Sequence, residues 1–221
     1  MVEQTLDGIA SLNLQLGIWS FILPTIFALA VLWALFRCYQ SPSRKNTQQL
    51  LAIYAVIYVF GGWTIFSGRD VMGLQMALSG AIGLWLVTLF LVLDIIFHWT
   101  EVKTPEKRDL KIISWSLVFI GIFLYPIVEI LLGFTYPRMV FFGAECPTTI
   151  SLIGLFIGSI PKVNKPLFVI ISLNAIFTGG YFAMNGAYFD YLYVLSGFLG
   201  SLMLLIYFKK IFVKGEKGQG I

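Results

Sequence analysis

The chain has 221 residues, of which 58% are hydrophobic, 16% aromatic and only 12% charged, whereas soluble domains carry about a quarter charged residues. Apolar runs of about 18 to 23 residues recur from Leu16 almost to the C-terminus, which excludes an ordinary soluble globule and marks an all-α polytopic membrane protein. The formal charge of +4 sits in short loops between those runs, so it implies no nucleic-acid partner, and the partner that composition does imply is the lipid bilayer.

The first 15 residues contain Glu3 and Asp7 and no Lys or Arg. A cleaved signal needs a basic leading region, so the first apolar run reads as a retained helix. In chain order the apolar runs predict seven transmembrane helices, at 16–36, 49–66, 72–97, 111–134, 147–160, 166–184 and 191–208, within a single integral membrane domain covering 1–221. The fifth has about 14 residues, short for a bilayer, so it is expected to extend into its flanks, tilt, or be shielded by its neighbours.

Orientation follows from the basic residues. One set of alternate loops holds all of the 15 Lys and Arg except Arg69 and Arg138. The positive-inside rule therefore predicts that the N-terminus lies outside and the C-terminus is cytoplasmic. Cys38 and Cys146 then fall on opposite sides, and no intramolecular disulfide is expected.

Three short matches recur in order along the chain. Pro24-Thr25-Ile26-Phe27-Ala28-Leu29 resembles Pro147-Thr148-Thr149-Ile150-Ser151-Leu152, Gly61-Gly62-Trp63 resembles Gly179-Gly180-Tyr181, and Leu78-Ser79-Gly80 resembles Leu195-Ser196-Gly197. They suggest two parallel repeats, 16–97 and 147–208, joined by the helix 111–134 in a 3+1+3 layout. The plain alternative is that Leu, Gly and Ser recur in membrane helices because small residues pack them. Parallel repeats about an axis along the membrane normal occur in transporters, with the site at the repeat interface.

Ionisable groups inside spans are the first candidates for function. Glu129 lies in the outer half of the fourth span, one turn after Pro126, where a proline can kink the helix. It suits a proton or cation site, or else it reaches the interface or pairs with Arg138. Asp94 and His98, four apart with Glu101 beyond, share a helical face that suits a metal or relay, or a simple interfacial pair. Asn174 is placed to line a substrate path or to bond between helices. In the outer segment Tyr136-Pro137-Arg138 to Cys146-Pro147-Thr148-Thr149, the helix N-terminus and the hydroxyls of Thr148 and Thr149 could bind an anion or a carbonyl. Cys146 at that end could be a metal ligand or redox thiol, although Glu145 beside it opposes thiolate formation. A structural cap explains the same residues. There is no phosphate loop, zinc spacing or hydrolytic triad, and one His makes such machinery hard to assemble, so neither an enzyme nor a cofactor is expected.

At Tyr136-Pro137-Arg138 through Phe142-Gly143, and at Cys146-Pro147-Thr148-Thr149-Ile150, the chain resembles the DUF6064 family of small bacterial and archaeal membrane proteins. The resemblance implies a seven-helix inner-membrane protein whose hallmark is the outer Cys-Pro-Thr-Thr segment, and it implies no activity. The family often has Pro before the Cys and His after the Gly that precedes Tyr-Pro, where this chain has Glu145 and Phe134. The missing His weakens a metal site at Cys146.

Together these features predict a small-solute or ion permease with a polar cavity between the repeats. Pro24 and Pro147 would be matched hinges, with Pro126 a third flexible point, and Glu129, Asn174, Thr148, Thr149 and Arg138 would mark the ligand path. A solid apolar interior would contradict it. The alternative is a non-enzymatic membrane partner or sensor that uses the outer 136–149 segment, binding a protein partner or a second copy of itself.

Overall fold

A computed structural model describes residues 2–213. Among them the fold is all-helical, with an isolated bridge between Phe142 and Ala144 and no strand. The helices are α1 (Val2–Leu16), α2 (Trp19–Gln40), α3 (Arg44–Ser67), a single turn α4 (Arg69–Met72), α5 (Leu74–Phe97), α6 (Arg108–Phe119), α7 (Tyr125–Leu131), α8 (Glu145–Ser159), α9 (Lys165–Met184) and α10 (Tyr191–Ile206). A π turn, Ile120–Leu124, joins α6 to α7, and a 3-10 turn, Tyr188–Asp190, leads into α10.

Six stretches among the described residues are long and apolar enough to cross a membrane: α2, α3, α5, Arg108–Leu131, α9 and Tyr188–Ile206. They coincide with six of the seven predicted spans. The remaining one corresponds to α8, whose 15 residues reach only about 22 Å at 1.5 Å per residue, short of a hydrocarbon core about 30 Å thick. Every residue of α8 from Pro147 through Ser159 is buried. Its neighbours shield it.

The sequence reading starts its first helix at Leu16, and the structure adds a separate helix before it. In α1 the residues Val2, Leu6, Ile9, Asn13 and Leu16 recur at alternating spacings of four and three, which puts them on one face. Val2, Leu6 and Asn13 of that face are buried. Gly17, with φ of 55°, ends α1 in the left-handed region open to glycine, and its N–H bonds Asn13 O at 3.0 Å. The chain then turns into α2.

Glycines set the close packing around α8. A Cβ on Gly121, in the π turn, would strike the Pro147 carbonyl and lie 2.8 Å from Ser151 N. On the other helix, a Cβ on Gly154 would lie 2.8 Å from Ser114 O. Backbone thus meets backbone along this contact. From the opposite side α3 reaches α8 through two hydroxyl pairs, Tyr54 Oη to Ser151 Oγ at 2.6 Å and Tyr58 Oη to Thr149 Oγ1 at 2.7 Å. Small residues also seat the outer pairs, with Gly62 against Trp85 between α3 and α5 and Gly197 against Ser172 O between α9 and α10.

The π turn also serves Pro126. Proline has no N–H for the carbonyl four residues back, and the Tyr125 N–H just before it bonds Ile120 O, five residues back. The helix widens by one residue where the proline interrupts it.

The connecting segments gather at two ends. At the basic end, Val102 N–H donates to Thr47 Oγ1 at 3.2 Å, Lys162 pairs with Glu101 at 2.6 Å, and Lys107 lies over the Tyr207 ring. Asp94 is buried here and does not pair with His98. Its carboxylate accepts from the Thr100 N–H at 2.8 Å and the Thr100 hydroxyl at 2.5 Å, while Thr100 Oγ1 accepts from Asn164 N–H at 2.9 Å. His98, at φ 57°, instead faces Gln48. The Asp94, His98 and Glu101 set predicted from their spacing is therefore a knot between loops, because α5 ends at Phe97 and the helical face does not continue. The opposite end holds α1, α4, the 132–144 loop and the 185–190 turn, and it carries Arg69 and Arg138.

Gly121→Ala should destabilise the detergent-purified protein by about 1–3 kcal/mol, because neither backbone can yield. Gly180→Ala, where a Cβ meets nothing within 4 Å, should cost at most a few tenths. Thermal unfolding compares them, and equal melting temperatures would contradict the packing of the π turn on α8.

Candidate functional site

The site grows from a local problem at the start of α8. Because α8 is short, the loop before it descends among the helices, and non-helical backbone there needs protein partners for its polar groups. Side chains supply them. Both Glu129 carboxylate oxygens accept from Val140 N–H at 3.0 Å, and Thr148 Oγ1 accepts from Gly143 N–H at 2.9 Å. Asn13 of α1 donates to Pro137 O at 2.7 Å and Met139 O at 2.9 Å, and the Tyr136 hydroxyl returns a bond to Asn13 O at 3.0 Å. Arg138 ties the loop to α1 through Asp7 at 2.6 Å and Glu3 at 3.2 Å. Gly143, at φ 110°, turns the chain into α8. Pro147, third residue of α8, sits in the first turn, where its missing N–H has no partner to lose.

Beneath this loop lies a buried polar cluster. Asn174 of α9 donates to Glu145 Oε1 at 2.8 Å and to the Tyr193 hydroxyl at 3.0 Å, and Thr178 donates to Asn174 Oδ1 at 2.8 Å. The Tyr125 hydroxyl donates to Asp190, and the Cys146 thiol lies beside that carboxyl. Glu129, Glu145 and Asp190 thus gather around the first turn of α8. None of the ion pairs among the described residues includes any of the three.

The cluster forms one end of a cavity of about 590 Å³. On one side it is walled by α2, α3 and α5, on the other by the start of α8, by α9 and by the 187–190 turn, and the apolar face of α1 covers it. The wall is mostly apolar and aromatic, with Tyr58, Thr149, Asn174, Glu145, Cys146 and Asp190 at the polar end. Glu145 and Cys146 are only part-buried, and the space they face is this cavity.

The residues expected from sequence divide accordingly. Asn174, Thr149, Cys146 and Pro24 line the cavity. Glu129 and Thr148 do not, because each is spent on loop backbone, and Arg138 lies on the outer surface against α1. Pro24 sits in the second turn of a continuous α2, unlike Pro147 in the first turn of α8 and Pro126 beside the π turn, so the three prolines occupy different helical settings. At the α8 N-terminus, where the sequence suggests an anion or carbonyl site, the two threonine hydroxyls are engaged with Gly143 and Tyr58, and the groups around them are carboxyls. Cys146 has acidic neighbours, yet no group of three His, Cys, Asp or Glu among the described residues is arranged to hold a metal, and both cysteines are free thiols.

Sequence reasoning missed Asp190 and the tyrosines. Asp190 immediately precedes the last predicted span and looks like an interfacial acid, but the 3-10 turn carries it inward to 3% exposure. Tyr54 and Tyr58 were legible in principle, since a spacing of four puts two hydroxyls on one face of an apolar helix. Glu145 could be seen only as a neighbour of Cys146.

The family model of DUF6064, a family of unknown function, matches residues 2–215, and the chain belongs to that family. No curated protein and no solved structure matches it.

If Glu129 serves the loop, Glu129→Gln, which keeps an acceptor for Val140 N–H, should change stability by less than about 1 kcal/mol. Glu129→Leu leaves that donor unsatisfied and should cost about 1–3 kcal/mol. Thermal unfolding of the two variants checks this, and equal losses would refute it.

Proposed function

We propose that this DUF6064 protein is a small-solute permease of the cell membrane, with the cavity between the two helix groups as its solute chamber. The observation that carries the reading is the cavity itself. Its volume of about 590 Å³ falls within the usual range for small-molecule sites, about 300–1,000 Å³, and such sites combine apolar walls with a few convergent polar groups. It lies between α2, α3 and α5 on one side and α8 and α9 on the other. The apolar wall favours an organic solute over a hydrated ion. Asn174, Thr149 and Glu145 bind its polar end.

In this reading α1 is the gate on the side expected to face outward. It covers the chamber with Leu6 and Ile9 and is held by the exposed pairs of Arg138 with Glu3 and Asp7. Exposed pairs are worth about 0–1 kcal/mol each and weaken with salt, which suits a contact that must open. No catalytic group takes part. The tight clamp on the 136–149 segment favours a second reading, a membrane sensor in which that segment is a fixed platform for a protein partner or a second copy.

A thiol already in the chamber separates the two. In a Cys38→Ala background, a membrane-impermeant maleimide is applied to right-side-out and to inside-out vesicles. Alternating access predicts that Cys146 is alkylated from both faces, and that Gly83→Leu, which adds a side chain where a Cβ meets nothing within 4 Å, slows both reactions. Alkylation from the outer face alone would overturn the permease and favour the sensor, and alkylation from neither face would overturn both.

A further inference from the structure

The charge lining the chamber is one-sided, and this bears on what can occupy it. Glu145 and Asp190 line it, and no Lys, Arg or His among the described residues does. The protein offers these carboxyls neutral donors: Asn174 to Glu145, and Tyr125 to Asp190. The α8 N-terminus adds about half a positive charge, shared among Glu129, Glu145 and Asp190. Arg138 is committed to Glu3 and Asp7 on the far side of α1. Whatever else balances the carboxyls must enter as protons or as a cation.

The rest of the wall specifies the cation. A metal ion finds no suitable trio of ligands among the described residues, and the apolar surface gives a hydrated ion nothing to replace its water. The lining does include the aromatic rings of Trp19, Tyr58, Phe60, Phe90 and Phe182. Ring faces attract cations, and the attraction grows once the cation is desolvated. In a low-dielectric chamber the pull of a carboxylate on a cation also exceeds its value in water.

We infer that the solute is an apolar organic cation, a quaternary onium ion or a protonated hydrophobic amine, whose charge settles against Glu145 while its body lies on the aromatic wall. The inference rests on the permease reading only in taking the chamber as the solute site. Glu145 is the specificity-determining residue, because it combines a carboxylate with surface open to the chamber. Asp190, at 3% exposure, stands behind it.

The test is equilibrium binding to the full chain in a neutral detergent, with three probes of similar shape and different charge: tetraphenylphosphonium, tetraphenylborate and neutral triphenylphosphine oxide. The expected result is saturable binding of tetraphenylphosphonium, at least about tenfold tighter than either of the others. Glu145→Gln, whose amide oxygen can still accept from Asn174, should remove that advantage and leave triphenylphosphine oxide unchanged. Glu106→Gln deletes the same charge at the exposed basic end, where the Glu106 side chain is 86% exposed, and should change nothing. Equal binding of the three probes, or a preference that survives Glu145→Gln, overturns the organic cation. In that case, neutral-probe binding that Gly83→Leu abolishes would still leave the chamber and the permease standing. Saturable binding of none of the three overturns the organic cation and also counts against the chamber.

Discussion

The fold turns on one constraint: α8 is too short to cross a bilayer and yet stands at the centre of the bundle. A loop must make up the missing length, and loop backbone at that depth has no water to bond. The polar residues around the start of α8 are there to meet that need. Glu129 holds Val140 N–H, Thr148 holds Gly143 N–H, and Asn13 reaches across from the N-terminal helix to two loop carbonyls. Remove the constraint and each of these would be an unexplained polar group in an apolar molecule.

The central position also decides the packing. Because α8 is surrounded, it can be approached closely, and the contacts with α6 and the π turn bring backbone to backbone through Gly121 and Gly154. The side toward α3 is bridged by paired hydroxyls rather than glycines. The first turn of α8 is left facing a space that no helix fills. Carboxyls from three different elements, α7, α8 and the 188–190 turn, share the field of one helix end, and two of them, Glu145 and Asp190, line that space. A structural solution to a short helix thereby produces a polar end in an otherwise apolar cavity.

Much of the fold was legible in the sequence. Six spans follow from hydropathy, and the gathering of the basic loops at one end follows from their alternation along the chain. The Cys146-Pro147-Thr148-Thr149 segment stands out in the sequence as a polar focus, and Asn174 as a polar residue inside a span. From sequence Glu129 suits a ligand group, an interfacial acid or a partner of Arg138, because an acid within a span signals function by default but not which role it plays. Its use on Val140 N–H depends on a loop that returns eleven residues later, which no local pattern encodes. The helix α1 escaped because its polar face kept it below the hydropathy of a span, although its spacing of four and three carried the signal.

The sequence by itself determined which segments are helical and apolar, and that the chain belongs in a membrane, because transfer from water to lipid depends on composition over about 20 residues at a time. Only the tertiary structure decided that the short fifth helix is the core, that α1 folds over a cavity, and that Glu145, Asp190 and Asn174 meet there. Those outcomes depend on contacts between residues far apart in the chain, such as Tyr58 with Thr149 or Asn13 with Met139. Satisfying a buried polar group is a property of the partners that packing brings together, and hydropathy carries no record of who the partners are.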